Sequence, residues 1–443
     1  MRAVNFQYLF LINVVLTFTT LYAQTEVSGQ VEGQWNLEGS PYTAIETIYI
    51  SAHDRLVIDA GVVVLFEEES AFFVYGNLST EGTMDDSVFF GPLNDEGNWL
   101  GLRFINAEER SLIDFTILTN GRRLFDADDG DTLNYGANLF SWRTDLTISN
   151  CRMSNGIASG FGGGFSIHGG RADFENCYFE NNISSRLGGA GNLDRNSQAT
   201  FVNCMFVQNR SEWGGGGFNI TENSHVTIRR SIFKENSGAA GGGISLYGGK
   251  LRAENCTFTR NQASMGGATY LRHEQNNANL FHCDFIENVA EGEGAGGAIM
   301  FRDGIDAEAA HCRFIKNRAQ WGGGAIFFAG RANAELHHNL YLKNSAGVVG
   351  GAIALNPNMG EQPLYVTHST FLDNISEGEE HPAHIVNLPE NSSINISSSI
   401  LWDPSPHFSN DNNVIVLFSQ TSENFAGQGN SDDNPELFSL DST

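Results

Sequence analysis

Apolar residues in this chain alternate with polar ones over short stretches and return at a fixed spacing. Ile299 and Phe301, and likewise Ile326 and Phe328, follow the period of two that predicts β-strands. A longer period of 25 to 30 residues separates positions that are mostly small: Cys151, Cys177, Cys204, Ser231, Cys256, Cys283, Cys312, Asn339 and Ser369. Two residues after each lies an apolar side chain: Met153, Phe179, Phe206, Phe233, Phe258, Phe285, Phe314, Tyr341 and Phe371.

Asparagine and glycine share this longer period. An asparagine lies five residues after all but the first of the small positions: Asn182, Asn209, Asn236, Asn261, Asn288, Asn317, Asn344 and Asn374. Glycine pairs or triplets follow further on, for example Gly241-Gly242-Gly243, Gly296-Gly297-Ala298-Ile299, Gly323-Gly324-Ala325-Ile326 and Gly350-Gly351-Ala352-Ile353. A spacing kept over so many units indicates a repeat architecture.

Each unit has room for about three short strands and the turns between them. If one unit is one turn of a solenoid, equivalent residues stack about 4.8 Å apart in parallel sheets. Phenylalanines would then form a ladder inside the solenoid, and asparagines a ladder at a turn. The pattern therefore predicts an all-β fold, a single-stranded parallel β-helix of about 12–14 coils.

The combination of Phe-x-x-Asn with Gly-Gly-Ala-Ile resembles the polymorphic outer-membrane protein repeat of bacterial surface proteins, within the pectate-lyase-like β-helix superfamily. The resemblance covers about residues 110 to 375. It implies a right-handed helix and a surface location. Members of the family are mostly linked to adhesion, and the repeat itself implies no catalytic residues.

The chain divides into segments around the repeats. Residues 1–23 carry Arg2 and an apolar run from Phe6 to Phe18, which predicts a signal peptide cleaved near Ala23. We expect a secreted or bacterial cell-surface protein. The predicted segments that follow are an N-terminal cap (24–44), N-terminal coils (45–120), a loop-extended coil (121–145), regular repeats (146–375), and degenerate C-terminal coils with a tail (376–443).

Charge restricts the class of partner. The formal net charge is −27, and a surface this acidic repels nucleic-acid phosphates and anionic membranes. No segment after the signal peptide has the length and hydrophobicity of a membrane span. We expect a monomer whose partner is a polysaccharide or a surface protein.

The six cysteines allow two interpretations. Their even number in a secreted chain is typical of disulfides. Stacked in register, however, their Cβ atoms would lie about 4.8 Å apart, whereas a disulfide needs about 3.8 Å. Ser231 and Ser369 occupy the same position, which indicates that it requires only a small residue. We therefore predict buried free thiols.

A second ladder precedes the cysteine position by one residue. It consists of Asn150, Asn176, Asn203, Arg230, Asn255, His282, His311, His338 and His368. Four histidines on consecutive coils could bind a transition metal through their imidazole nitrogens. The alternative, which we favour, is a tight turn in the left-handed conformation, where both Asn and His are enriched.

We expect no cofactor, although an acidic loop makes calcium possible. Asp126, Asp128 and Asp131 lie with Asp129 around Gly130 in the loop that lengthens one unit. Oxygen ligands at alternate positions suit calcium. The spacing differs from that of established calcium loops, and acidic loops are usually solvated, so a solvated loop is the alternative interpretation.

The strand after the glycines presents candidate ligand-binding residues on its outward side. Side chains between them, such as Leu271 and Phe301, are apolar and point inward. Aromatic rings can stack on sugars, and guanidinium groups can bind carboxylates. We therefore expect an exposed binding face, whose candidate residues are Asp194, Tyr247, Tyr270, Arg272, Arg302 and Phe327.

No catalytic residues are identified from the sequence. The superfamily's lyases and hydrolases use clustered acids with an arginine base, or paired aspartates, and no matching motif is present. Our first hypothesis is a non-catalytic protein that acts in adhesion or in glycan or protein binding. The alternative is a polysaccharide lyase or glycoside hydrolase on the same scaffold, and a purely structural role is a third.

Overall fold

The structure is a computed structural model of the full chain. It describes residues 24–94, 97–124, 135–272, 277–330, 332–356, 364–378, 385–387, 393–402, 408, 414–422, 427–433 and 435. Two sequence predictions lie outside this set: the signal peptide (1–23) and the calcium candidates Asp126, Asp128 and Asp131.

Strands stack into four parallel ladders, named here by their order along one coil. The first contains Phe72–Val74, Leu102–Ile105, Leu139–Trp142, Phe165–His168, Gly191–Asp194, Phe218–Arg229, Ile244–Glu254, Thr269–Arg272, Ile299–Arg302, Ile326–Ala329, Ile353–Leu355 and Ile385–Asn387. The second contains Gly33–Trp35, Arg55–Asp59, Asn77–Glu81, Ser111–Asp114, Leu146–Ser149, Arg171–Glu175, Gln198–Val202, Asn277–Phe281, Ile305–Ala310, Ala332–His337, Leu364–Thr367, Ile394–Ser397 and Val414–Leu417, and it includes the later halves of Phe218–Arg229 and Ile244–Glu254.

The other two ladders complete each coil. The third contains Thr25–Gln30, Tyr42–Ile50, Val63–Phe66, Val88–Pro92, Thr116–Thr119, Arg152–Ser154, Tyr178–Glu180, Met205–Val207, Ile232–Lys234, Thr257–Thr259, Asp284–Ile286, Arg313–Ile315, Leu340–Leu342, Thr370–Leu372, Ile400–Trp402 and Gln420–Thr421. The fourth, a separate sheet, contains Arg122–Arg123, Ile157–Ala158, Ile183–Ser184, Arg210–Ser211, Ser237–Ala240, Gln262–Met265, Val289–Ala295, Arg318–Ala319, Ser345–Ala346 and Ile375–Ser376. A short 3-10 helix spans Leu37–Gly39.

Together the ladders form a right-handed parallel β-helix of about 12 turns, which confirms the predicted fold. The register follows the predicted repeat, with Phe258 paired to Phe285 and Phe285 to Phe314. Residues 24–44 contribute strands to the first coil, where Thr25–Gln30 pairs in parallel with Tyr42–Ile50. Among the described residues, no helix is long and apolar enough to cross a membrane.

The core is filled by stacked side chains, as predicted. Eight aromatic rings run along the third ladder with centroids 4.4–5.0 Å apart and planes within 9° of parallel: Phe179, Phe206, Phe233, Phe258, Phe285, Phe314, Tyr341 and Phe371. All are buried. Because ring spacing matches strand spacing, each coil buries the aromatic side chain of the next.

Two corners of each coil are fixed by polar residues. The histidines of the predicted left-handed turn have φ between 49° and 56°, and the asparagines at the same position in earlier coils have φ near 54°, which confirms the turn interpretation. At the other corner the buried asparagines from Asn182 to Asn374 bond to one another through their side-chain amides, as predicted. All six cysteines are free and buried, which also agrees with the prediction.

Candidate functional site

The outward side of the first ladder carries two rows of side chains. Alternation along each strand turns every second residue away from the core. The inner of the two rows consists of Arg103, Phe140, Ser166, Asn192, Asn219, Ser245, Tyr270, Met300, Phe327 and Ala354. The outer row consists of Ile105, Trp142, His168, Asp194, Thr221, Tyr247, Arg272, Arg302, Ala329 and Asn356.

The inner row is buried, which corrects the expectation of a fully exposed face. Tyr270 and Phe327 point outward as predicted but are only 5% and 2% exposed. The chain between the fourth ladder and the glycine turn folds over them and places Trp321 and other side chains on top. The cluster formed in this way comprises Ala240, Tyr270, Ala295, Met300, Phe327, Val349 and Ala354, with Met265, Trp321 and Ala329 packed against it.

Glycines at the turn make this covering possible. Gly323 has φ +65°, and a Cβ on Gly324 would lie 2.0 Å from the carbonyl oxygen of Gly351 in the next coil. Only residues without a Cβ allow coils to approach this closely here. The chain therefore turns sharply after Trp321, so that its indole meets Phe327 edge-to-face with centroids 5.2 Å apart.

A cleft with a volume of about 370 Å³ opens beside this cluster. It is lined by Met265, Ala295, Met300, Arg302, Asp303, Trp321, Phe327, Ala329, Gly330 and Asn356. One side is apolar and carries the indole, whereas the other carries a guanidinium and a carboxylate. Apolar clefts with a few convergent polar groups are typical ligand sites.

Charged residues form the polar side of the cleft. Arg272 and Arg302 lie on successive coils, and Asp303 follows Arg302 at a turn with φ +53°. Nε of Arg272 lies 2.6 Å from Oδ2 of Asp303, and Nε of Arg302 lies 3.3 Å from the same oxygen. Arg272 also stacks over the ring of Tyr247, which is 45% exposed. Two guanidinium groups share one carboxylate, so this trio carries one net positive charge.

The predicted residue Asp194 lies elsewhere, in a buried cluster toward the N-terminal end of the same face. Oγ of Ser166 is 2.9 Å from Nε2 of His168, and Nδ1 of His168 is 2.9 Å from Oδ1 of Asp194, although these last two atoms are not aligned for a hydrogen bond. Asn192 donates to the other oxygen of Asp194 over 3.3 Å. The Tyr135 ring stacks on His168 with centroids 4.9 Å apart.

The order of atoms in this cluster is that of a serine nucleophile, its base and an orienting carboxylate. Ser166 and His168 are both buried in this structure, so the hydroxyl is not presented to a substrate carbonyl as acyl transfer requires. Burial and the Asp194 carboxylate raise the pKa of Tyr135, which keeps this ring neutral over the cluster. We interpret the cluster as a buried polar network that joins the paired strands Phe165–His168 and Gly191–Asp194.

Among the described residues that line the cleft, Asp303 is the single carboxylate, whereas glycoside hydrolysis in most families uses two. Sequence reasoning found Arg302 and Phe327 but missed Trp321, Met265 and Asp303. The position of two of them in the repeat could have identified them. Met265 directly precedes Gly266, and Trp321 directly precedes Gly322, at the glycine turns of their coils.

The family model of the right-handed β-helix region matches residues 101–280 and 240–359, which together are more than half of the chain. The chain belongs to the right-handed β-helix family. No curated protein matches it. In this β-helix protein the matched region includes both the cleft and the buried cluster around His168.

Proposed function

We propose that this β-helix protein is a secreted or cell-surface, non-catalytic binding protein that holds an acidic glycan in the cleft between Trp321 and Arg302. The observation that carries the proposal is the pairing, in one open cleft, of an apolar aromatic wall with a guanidinium rim. Sugar rings stack their apolar faces on indoles. Uronate carboxylates accept hydrogen bonds from guanidinium groups.

The distribution of charge favours binding of an acidic ligand at the cleft over binding elsewhere on the surface. The chain as a whole carries −27, so a polyanion is repelled by most of its surface. Arg272, Arg302 and Asp303 leave one excess positive charge at the cleft. Since this charge is partly exposed, its contribution depends on ionic strength. Affinity should therefore fall as salt is added.

The shape of the face favours an extended ligand over a compact one. Outer-row side chains recur about every 4.8 Å along the helix axis. Tyr247, Arg272 and Arg302 lie on three successive coils and lead into the cleft. A linear oligosaccharide can follow this row while one of its rings occupies the space beside Trp321.

The experiment is a glycan array with neutral and acidic oligosaccharides, followed by calorimetry on the hits. Trp321→Ala and Arg302→Gln should each weaken binding about tenfold, or about 1.4 kcal/mol. Two matched controls are available: Trp213, 71% exposed on an earlier coil, and Arg313, paired with Asp284 on the third ladder. Trp213→Ala and Arg313→Gln should bind as the parent does. Parental binding by both cleft variants would contradict the proposal.

One observation favours the alternative function, a polysaccharide lyase or hydrolase. The carboxylate of Asp303 lies in the cleft beside two guanidinium groups, where a uronate-containing chain would come close to it. A uronate-release assay on the array hits separates the two functions. Product release that is lost in Asp303→Asn would establish an enzyme, whereas binding without release supports the non-catalytic protein.

A further inference from the structure

A second surface lies at the corner that follows the second ladder, away from the cleft. The imidazoles of His282, His311, His338 and His368 stack there in sequence, with centroids 4.7, 4.6 and 4.7 Å apart. All four are exposed. One coil adds a fifth imidazole, because the strand Ala332–His337 ends in His337, directly before His338.

A carboxylate fixes the tautomer of His337. Its Nε2 lies 2.9 Å from Oε1 of Glu308, one coil earlier. A carboxylate accepts hydrogen bonds, so Nε2 carries the proton and Nδ1 keeps its lone pair. Histidines that bind metals usually donate their second ring N–H to a carboxylate in this way.

The second nitrogen belongs to His338, which lies in the left-handed turn with φ +56°. Its ring meets that of His337 edge-to-face, with centroids 5.4 Å apart. The two Nδ1 atoms are 3.2 Å apart, so without metal Nδ1–H of His338 donates a hydrogen bond to Nδ1 of His337. Two imidazole nitrogens bound at about 2.0–2.1 Å to one tetrahedral zinc ion lie about 3.3 Å apart. The observed separation therefore suits two ligands of one ion.

We infer that Nδ1 of His337 and Nδ1 of His338 bind one divalent transition-metal ion, Cu²⁺ or Zn²⁺, at the surface. In the bound form His338 carries its proton on Nε2, which faces solvent. Among the described residues, no group of three or more histidines, cysteines or carboxylates converges on a point. The protein thus supplies two nitrogens here, and water completes the coordination.

Chemistry and charge both indicate the class of ion. Neutral imidazole suits copper and zinc, and Cu²⁺ binds most tightly among the first-row divalent ions. Glu308 and the acidic surface of the chain favour a cation. This site is independent of the glycan proposal, since it lies on a different corner and shares no residue with the cleft.

The experiment uses the full chain without a polyhistidine tag, titrated with CuCl₂ and with ZnCl₂ in a calorimeter. One ion should bind per chain, with copper tighter than zinc. Neighbouring coils supply conservative substitutions: Ala310 pairs with His337, and Asn255 occupies the turn position of His338. His337→Ala and His338→Asn should each weaken binding at least about tenfold, the loss typical of a disrupted metal site.

His282→Asn is the matched control. This residue stacks on His311 in the same ladder, but the residue directly before it is Phe281 and not a histidine. Its affinity should equal that of the parent. Histidine NMR spectra should show line broadening by Cu²⁺ at His337 and His338. Absence of binding in the parent, unchanged binding in both variants, or an equal loss in His282→Asn would overturn the inference.

Discussion

Asn261 and Asn288 stand on successive coils, and the side-chain amide of Asn261 donates to Oδ1 of Asn288 over 3.0 Å. The backbone N–H of Asn261 donates to the same oxygen, also over 3.0 Å. Asn288 in turn donates from Nδ2 to the carbonyl of Phe258 and to Asn317. One buried amide thus bonds to polar groups on the two coils next to its own.

Asn288→Ala should destabilise the helix by about 2–3 kcal/mol, because it leaves buried donors of Asn261 without an acceptor. Urea unfolding followed by circular dichroism gives the change, and hydrogen exchange locates it in the adjoining coils. Asn333, exposed on the second ladder and bonded to Asp306, is the control. Asn333→Ala should cost about 0.5 kcal/mol or less. Equal losses in the two variants would contradict this account.

Phe285→Ala should cost about 3–5 kcal/mol, since it opens a cavity between two stacked rings. Phe285 is fully buried, 4.9 Å from Phe258 and 5.0 Å from Phe314 between centroids. Thermal unfolding measures the effect. Tyr365→Ala, at an exposed aromatic position on the second ladder, is the comparison and should change little. A loss below about 1 kcal/mol for Phe285→Ala would mean that the cavity collapses on mutation.

Tyr270→Ala should destabilise the protein by about 3 kcal/mol, because the ring packs in the covered inner row. Arg272→Ala, two residues on, should leave the unfolding temperature nearly unchanged and weaken glycan binding. Differential scanning calorimetry and ligand calorimetry on the two variants test the distinction. Similar melting temperatures for both would show that the inner row contributes no packing energy.

Alkaline pH should destabilise the fold through the Cys283 thiol. Burial raises the pKa of the Cys283 thiol well above its usual value, whereas in the unfolded chain a thiol ionises near about 8.5. The stabilisation is complete below that pH and is lost progressively above it, because only the unfolded state releases the proton. The check is urea unfolding at a series of pH values from neutral to alkaline.

Cys283→Ser is the matched control, since Ser231 occupies the equivalent position in another coil. Its stability should decline less steeply with rising pH. Thiol titration gives a second measurement: the native protein should react slowly, and the denatured protein without reductant should expose all six free cysteines. Two or fewer reactive thiols would contradict free cysteines.

The fold was predictable because the sequence pattern that determines it is short and recurs in successive coils. The spacing of Phe258, Phe285 and Phe314 sets the coil length, and their stacking in the core follows from that spacing alone. The cleft was not predictable to the same extent. The alternation of apolar and polar residues predicts that Phe327 faces outward. Its burial depends on the position of Trp321, which precedes the turn between the fourth and first ladders, and the sequence does not give that position.

The buried cluster shows a signal that was present and went unused. Ser166 and His168 occupy the same two positions in their strand as Asn192 and Asp194 in the next. The outward positions were assigned from Asn192 and Asp194 onward. Extending that assignment one coil toward the N-terminus would have predicted that Ser166 and His168 lie beside Asn192 and Asp194. The contact of His337 with Glu308 differs, because it depends on side-chain rotamers across two coils and has no pattern in the sequence.

The turn histidines and asparagines, together with the buried amides, link each coil only to its immediate neighbours. Excision of residues 257–283 would join Cys256 directly to Asp284, which normally follows Cys283, so every ladder would close again in register. Excision of half that length would pair core positions with surface positions. The length of this protein can therefore change in steps of one whole coil. Genetic duplication of one repeat would add one coil to the helix without disturbing the others.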